Sequence, residues 1–162
     1  MPVIDMYVPQ GVLDDETKQT LHRNVSRQVL EAEGATYDES PLAQAITWML
    51  IHEVPEGTWS VGSQVQSRGD EPRVLTRVSV PHGSLNDERR ADIAKRVNRE
   101  VVNALGDQFT DPTKSFCLIS EQTFSGGGTV VSFAELVQWL GLPHRLDRHE
   151  PAAPAALAES GS

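Results

Sequence analysis

Two stretches of the chain repeat each other: residues 8–16 read VPQGVLDDE, and residues 80–88 read VPHGSLNDE. The match continues without a gap over 27 pairs of residues that lie 72 positions apart, from Val8 and Val80 to Gly34 and Gly106. Eleven of these pairs are identical. So many identities at one fixed offset indicate an internal duplication.

Each copy predicts a strand followed by a helix. Segments rich in β-branched residues, 3–8 and 74–80, precede a Pro-x-Gly turn in both copies. Asp14 and Asn86 are suited to cap the helices that follow, and acidic residues occupy each first turn. Gly34 and Gly106 are expected to end the two helices in a left-handed conformation. Apolar residues recur at helical spacing in both copies: Leu21, Val25, Val29, Ala32, Ile93, Val97, Val101 and Ala104.

A second strand and a glycine-containing hairpin complete each copy. The strands are predicted at 46–53 and 114–121, and the hairpins at 56–62 and 126–132. The second strands lie 68 positions apart instead of 72, so the loop between helix and strand differs in length, which a surface loop tolerates.

The resulting prediction is an α+β fold in which two fused β-α-β repeats form a four-stranded sheet with both helices on one face. The halves are residues 2–62 and 73–133, which we expect to form one structural domain with right-handed crossovers. Residues 134–162 are predicted to be a short helix followed by a Pro- and Ala-rich tail that is disordered or covers a neighbouring molecule. The sheet face without helices needs a cover, which predicts oligomerisation.

Composition excludes several classes of function. The 162 residues include 14 Lys and Arg against 23 Asp and Glu, a net charge of −9, which disfavours binding to nucleic acid or to anionic membranes. Cys117 is the only cysteine, so a disulfide framework and a cysteine-rich zinc site are excluded. No apolar run approaches the roughly 20 residues of a membrane span, and the N-terminus lacks a signal peptide pattern. We therefore expect a cytoplasmic protein.

The repeat, the hairpins and a proline directly after the initiator methionine together resemble the tautomerase superfamily. The resemblance is to its fused members, which include proteins like cis-3-chloroacrylic acid dehalogenase, and it covers roughly residues 2–133. Residues 53–62 lie without a gap on the strand-to-hairpin segment of that family. The shorter 4-oxalocrotonate tautomerase subunits look like one half of this chain.

This resemblance implies an enzyme that needs no cofactor and forms a homotrimer. Removal of Met1 would expose the secondary amine of Pro2, and apolar surroundings would keep that amine uncharged and able to act as a general base. The expected reaction is keto-enol tautomerisation of a small 2-oxo or enol acid. The second copy has Val74 at the position equivalent to Pro2. One catalytic site per chain is therefore expected.

The substrate-binding residues are harder to predict, because the arginines that the family places after the first strand or on the second strand are missing. The remaining candidates are two arginines of the third strand region, one turn histidine and two tryptophans: Arg73, Arg77, His82, Trp48 and Trp59. His82 also fits a plain turn residue, and either tryptophan also fits the core. His144 and His149 have no third partner, so we predict no metal site.

Three alternatives remain open from the sequence. Pro2 would act as a general acid in a decarboxylase or hydratase, whereas retention of Met1 would leave a non-catalytic binding protein. A third possibility is a duplicated ferredoxin-like fold, such as a small dimeric monooxygenase, with its pocket on the sheet. Dehalogenation is not supported, because Val29, Leu118 and Thr129 replace the assisting residues of the dehalogenases.

Overall fold

The computed structural model describes residues 2–141. Its strands and helices follow in chain order: β1 (Val3–Pro9), α1 (Asp15–Ala32), α2 (Pro41–Ala45), β2 (Trp48–Val54), β3 (Ser60–Val61), β4 (Gln64–Val65), β5 (Val74–Pro81), α3 (Asp87–Leu105), β6 (Ser115–Gln122), β7 (Phe124–Gly126), β8 (Thr129–Val131) and α4 (Phe133–Trp139). Two 3₁₀ turns, Tyr37–Glu39 and Asp107–Thr110, lie between helix and strand in the two halves.

The described residues form one four-stranded sheet in the order β2-β1-β5-β6. Within each half the strands are parallel, and the halves join through the antiparallel pair β1 and β5. This confirms the predicted α+β fold. The ferredoxin-like alternative is wrong, because a split β-α-β unit separates its two parallel strands by a third, whereas here they are direct neighbours.

The core lies between one face of the sheet and the two long helices. The buried positions alternate along β1 and β5, and they recur at helical spacing along α1 and α3. The other face of the sheet, which we call the open face, carries four large apolar side chains that are 43–64% exposed: Trp48, Leu50, Phe116 and Leu118. The alternative that Trp48 packs in the core is therefore not observed within one chain.

The two helices pack around an approximate two-fold axis. The side chain of Asn24 donates a hydrogen bond to Glu100 at 3.2 Å, and Arg96 donates one to Gln28 at 3.0 Å. Adding 72 to 24 gives 96, and adding 72 to 28 gives 100, so the two contacts are the same contact seen from either half. A symmetric dimer contacts itself in this way.

Capping follows the sequence prediction at three of four helix ends. Asp14 and Asn86 accept hydrogen bonds from the N–H groups of Thr17 and Arg89. Gly34 has a φ of 90°, as expected for a residue that ends a helix. Gly106 also has a positive φ, of 106°, but its ψ of 168° lies outside the left-handed helical region. The chain leaves α3 in an extended direction and enters the second 3₁₀ turn.

Two hairpins and a short C-terminal helix are present as predicted, the helix being α4. The first hairpin, β3–β4, spans residues 60–65 rather than 56–62, and the second, β7–β8, spans 124–131 rather than 126–132. The short helix α2 was not predicted, because five residues are too few to show a helical period. The predicted tail lies outside the described residues. Within residues 2–141 no helix is both long and apolar enough to span a bilayer.

Candidate functional site

Pro2 lies at the start of β1 and is buried. It shares the core face of that strand with Ile4 and Met6, because alternate residues of a strand point to the same side. Its carbonyl accepts a hydrogen bond from the N–H of Trp48 at 3.1 Å. The pairing of Val3 with Ser79 places Pro2 beside the C-terminal end of β5. We call this region the Pro2 end of the sheet.

An apolar cavity of about 210 Å³ lies at the Pro2 end. Pro81, which ends β5, and Ile46, two residues before Trp48, contribute its sheet side. The other described lining residues come from α2, the hairpin β7–β8 and α4: Leu42, Phe124, Gly126, Val131, Leu136 and Trp139. None of these side chains carries a charge. The C-terminal hairpin and helix of the chain thus enclose an apolar space at this end of the sheet, and Pro2 itself is not among its described lining residues.

The turn after β5 is held by a single carboxylate at the Pro2 end. Glu121 accepts hydrogen bonds from the N–H groups of Gly83 at 2.8 Å and Leu85 at 3.1 Å, and it pairs with Arg90 at 2.7 Å. Partial burial alone would raise the pKa of Glu121, but the bonds from Arg90, Leu85 and Gly83 outweigh it and lower the pKa. The turn therefore presents a fixed backbone beside Pro2.

Two polar side chains of this turn, those of Ser84 and His82, form no hydrogen bond within the described part of the chain. The hydroxyl of Ser84 is buried and has no hydrogen-bond partner within the described part of the chain. His82 is exposed, and only its backbone N–H is fixed, by the carbonyl of Gln122 at 2.9 Å. His82 and Trp48 thus lie at the same end of the sheet as Pro2, with Trp48 on the open face.

Arg73 and Trp59 lie at the opposite end of the sheet. Continuing the register of β1 and β5 places Arg73 beside Pro9, about 23 Å along β1 from Pro2. Both residues line a second cavity, of about 280 Å³, together with the turn that follows β1. We call this region the Arg73 end of the sheet. Within one chain the predicted grouping of Arg73 and Trp59 with Pro2 is therefore not observed.

Arg77 lies between the two ends. It is exposed in the middle of β5 on the open face, and its register partners are Asp5 on β1 and Leu118 on β6. One chain does not place Arg77 in either cavity.

Sequence reasoning missed a polar cluster on the open face. The imidazole of His52 contacts the Asp5 carboxylate at 2.7 Å and stacks on the ring of Tyr7 at 4.5 Å. The available signal was a polar residue at an outward position in each of two adjacent parallel strands. No group of His, Cys, Asp or Glu within residues 2–141 is arranged to hold a metal ion, and the predicted absence of a site at His144 and His149 lies outside these residues.

Comparison with solved structures identifies the fold. The chain superposes on a fused 4-OT, solved as a symmetric trimer, with a TM-score of 0.63 at 18% identity over 83% of this chain and 98% of that one. It superposes on Pt0534, solved after inactivation by 2-oxo-3-pentynoate, with a TM-score of 0.64 at 17% identity over 79% and 95%. A member of the cis-3-chloroacrylic acid dehalogenase family, N1, gives 0.65 at 11% identity over 90% and 99%.

The chain therefore has the β-α-β fold of the fused tautomerases, as the resemblance of its sequence predicts. No protein-family model matches the sequence, and no curated protein is significantly similar to it. The likeness accordingly concerns the architecture, at identities of 11–18%.

Proposed function

We propose that the protein is an enzyme of the tautomerase superfamily that needs no cofactor and uses the imino nitrogen of Pro2 as a general base. The observation that carries this proposal is the position of Pro2, which is buried at a strand start, at the same end of the sheet as an uncharged cavity of about 210 Å³. Apolar surroundings disfavour the ammonium form of an amine, so a processed Pro2 would be free to accept a proton near neutral pH.

The proposed reaction moves one proton within a small carbonyl compound. In the ketonisation direction, the Pro2 nitrogen takes the proton of the enol hydroxyl, and the same proton is then delivered to the carbon of the double bond. The enol C=C bond becomes a C–C bond, and the C–O bond becomes a carbonyl. No electron acceptor or metal takes part in this balance.

The cavity favours a substrate with an apolar group. Its described lining offers no charged partner for a second carboxylate, whereas its apolar walls fit an aryl or alkyl side chain. The single carboxylate of a 2-oxo acid would instead lie toward the turn after β5, where the exposed side chain of His82 is available. We therefore propose an aryl- or alkyl-substituted 2-oxo acid rather than a dicarboxylate.

We further propose that the protein acts as a homotrimer. The open face exposes Trp48, Leu50, Phe116 and Leu118 side by side, an apolar surface of the kind that protein interfaces cover. Fused 4-OT proteins of this fold have been solved as trimers.

The direct test compares ketonisation of phenylpyruvate enol and of 2-hydroxymuconate by native, Pro2→Ala and Pro112→Ala protein. We expect Pro2→Ala to reduce kcat/KM by about 10²–10⁴, the usual contribution of a general base. Pro112→Ala alters an exposed proline in a loop and serves as the matched control. Phenylpyruvate should be the better substrate. Equal rates for native and Pro2→Ala protein would exclude Pro2 from the mechanism.

The pH profile separates a base from an acid. If Pro2 is the base, activity falls as pH drops through its pKa; if it is the acid of a decarboxylase or hydratase, activity falls as pH rises. Intact mass spectrometry of the purified protein reports whether Met1 has been removed. A retained methionine together with no activity would favour the non-catalytic alternative.

A further inference from the structure

We propose that the cavity at the Arg73 end of the sheet is a second ligand site, distinct from the Pro2 site, that binds a small organic monocarboxylate carrying a flat apolar group. The two-fold relation of the halves makes this cavity the counterpart of the Pro2 end. It is lined by the turn after β1, by Trp59 near the hairpin β3–β4, and by the segment that leads into β5.

The counterpart cannot repeat the chemistry of Pro2. Position 74, which corresponds to Pro2, is a valine, and its nitrogen is an amide that donates a hydrogen bond to the carbonyl of Lys114 at 2.9 Å. Without an amine at this strand start, the cavity is able to hold a ligand but has no base of the Pro2 type. We therefore propose that the cavity at the Arg73 end binds a ligand and does not catalyse proton transfer.

Two arginines line the cavity, Arg68 and Arg73, and Arg73 has unused hydrogen-bonding capacity. Nη1 of Arg73 donates weakly to the carbonyls of Glu71 at 3.2 Å and Pro72 at 3.4 Å, and it forms a long ion pair of 3.7 Å with the Glu71 carboxylate. Nε is buried and has no partner among the described residues. A buried donor without an acceptor is unfavourable. A carboxylate bound along one edge of the guanidinium would supply acceptors for two of its N–H groups.

The acidic groups of the cavity lining are already engaged within the protein. Glu56 accepts from the N–H of Arg68 at 3.0 Å, and Asp70 accepts from the N–H of Ser67 at 2.7 Å. Glu71 pairs with Lys114 at 2.9 Å, which lowers its pKa and keeps it ionised. Each of these carboxylates thus has a partner within the protein, whereas Nε of Arg73 has none among the described residues, which is why we propose an anionic ligand.

The rest of the cavity fits an apolar group. The half-buried side chain of Trp59 lines it together with apolar residues of the β1 turn and the end of β2, which include Pro9, Val12 and Val54. The Trp59 segment is fixed by a hydrogen bond from the N–H of Gln66 to the carbonyl of Trp59 at 2.7 Å. An aryl group packed on this indole would place a short carboxylate tail near Arg73.

The test is an NMR titration of the full-length protein with 3-phenylpropionate, followed at the indole N–H of Trp59. The neutral isostere 3-phenylpropanamide is titrated in parallel. We expect a saturable shift of the Trp59 signal with the carboxylate and at least about tenfold weaker binding of the amide, since the amide lacks charge-assisted hydrogen bonds. The absence of a saturable Trp59 shift, or equal binding of acid and amide, would overturn the proposal.

Two variants with the same change of charge localise the site. Arg73→Gln should weaken binding of 3-phenylpropionate at least about tenfold, whereas Lys95→Gln, on the exposed surface of α3, should leave it unchanged. Arg73→Lys keeps the charge without the planar edge and is expected to give an intermediate affinity. Native affinity in both Arg73 variants would overturn the proposal. The titration is repeated with Pro2→Ala, in which the Trp59 shift should persist. This separates the two proposals, because loss of activity in Pro2→Ala would then occur without loss of binding at the Arg73 end.

Discussion

Asp5 and Arg77 occupy equivalent positions in the two halves, 72 residues apart, and they are register partners in the antiparallel pair of β1 and β5. The approximate two-fold axis of the sheet therefore passes between them. Two identical subunits would place the same side chain on both sides of this axis. The fused chain instead places an acid opposite a base, which removes the repulsion that a repeated acid or base would produce.

We expect Arg77→Asp to reduce the free energy of unfolding by about 0.2–1 kcal/mol, because it places like charges directly opposite each other. The same substitution in an Asp5→Asn background should cost less, since the opposing charge is gone. Urea denaturation of the four proteins of this cycle measures the coupling. A zero coupling energy would show that the two side chains do not interact.

Glu121→Gln should destabilise the turn at the Pro2 end by about 1–3 kcal/mol at neutral pH, because two backbone N–H groups and Arg90 lose a charged acceptor. The pKa of Glu121 is lowered in the folded state, so this stabilisation is present above the ordinary glutamate pKa. It is lost as pH falls through the folded pKa. Denaturation from pH 7 to pH 3 should show native and variant converging. Glu39→Gln, at an exposed position, should show a difference near zero throughout.

Leu118→Glu should convert the proposed trimer to monomers without unfolding the chain. The Leu118 side chain is 51% exposed on the open face, so a carboxylate there is solvated in one chain but unfavourable when another subunit covers it. Sedimentation velocity and circular dichroism report the two properties. Ala91→Glu makes the same change of charge on the exposed surface of α3 and should retain the native mass. A Leu118→Glu protein of native mass would show that this face is not the interface.

Cys117 should react slowly with alkylating reagents in the folded protein. Burial raises the pKa of its thiol to about 12, from an ordinary value of 9.0. At pH 8 the thiolate, which is the reactive form, is then scarcer by about 10³ than in the unfolded chain. Intact mass spectrometry after iodoacetamide treatment, with and without denaturant, measures this ratio. Equal rates in the two conditions would contradict the partial burial of Cys117.

Local signals in the sequence were sufficient to predict the strands and helices and to group them into two halves. The β-branched runs, the caps Asp14 and Asn86 and the apolar spacing of α1 and α3 each depend on residues close together in the chain, and each is observed. The fixed offset of 72 then related the two halves. The structure contains these predicted features because each local preference agrees with the packing of the folded chain.

The candidate site was harder to predict, because its geometry depends on how the halves pair. The antiparallel pairing of β1 and β5 sends the start of one strand to the end of the other, so Arg73 and Pro2 lie at opposite ends of the sheet. No local pattern specifies that direction. The cavity at the Pro2 end could not be foreseen either, since α2, the hairpin β7–β8 and α4 meet there only in the folded chain.

Val74, the counterpart of Pro2, is an internal residue with an amide nitrogen, and this affects how the protein would become active. Aminopeptidase trimming reaches only a free terminus, so biosynthesis is able to deliver one reactive imino group per polypeptide, however many sheet ends the assembly contains. If Pro2 is the base, chains that keep Met1 would lack the free imino nitrogen and would be inactive. The fraction of active enzyme would then depend on how completely the Met1–Pro2 bond is cleaved, rather than on the expression level.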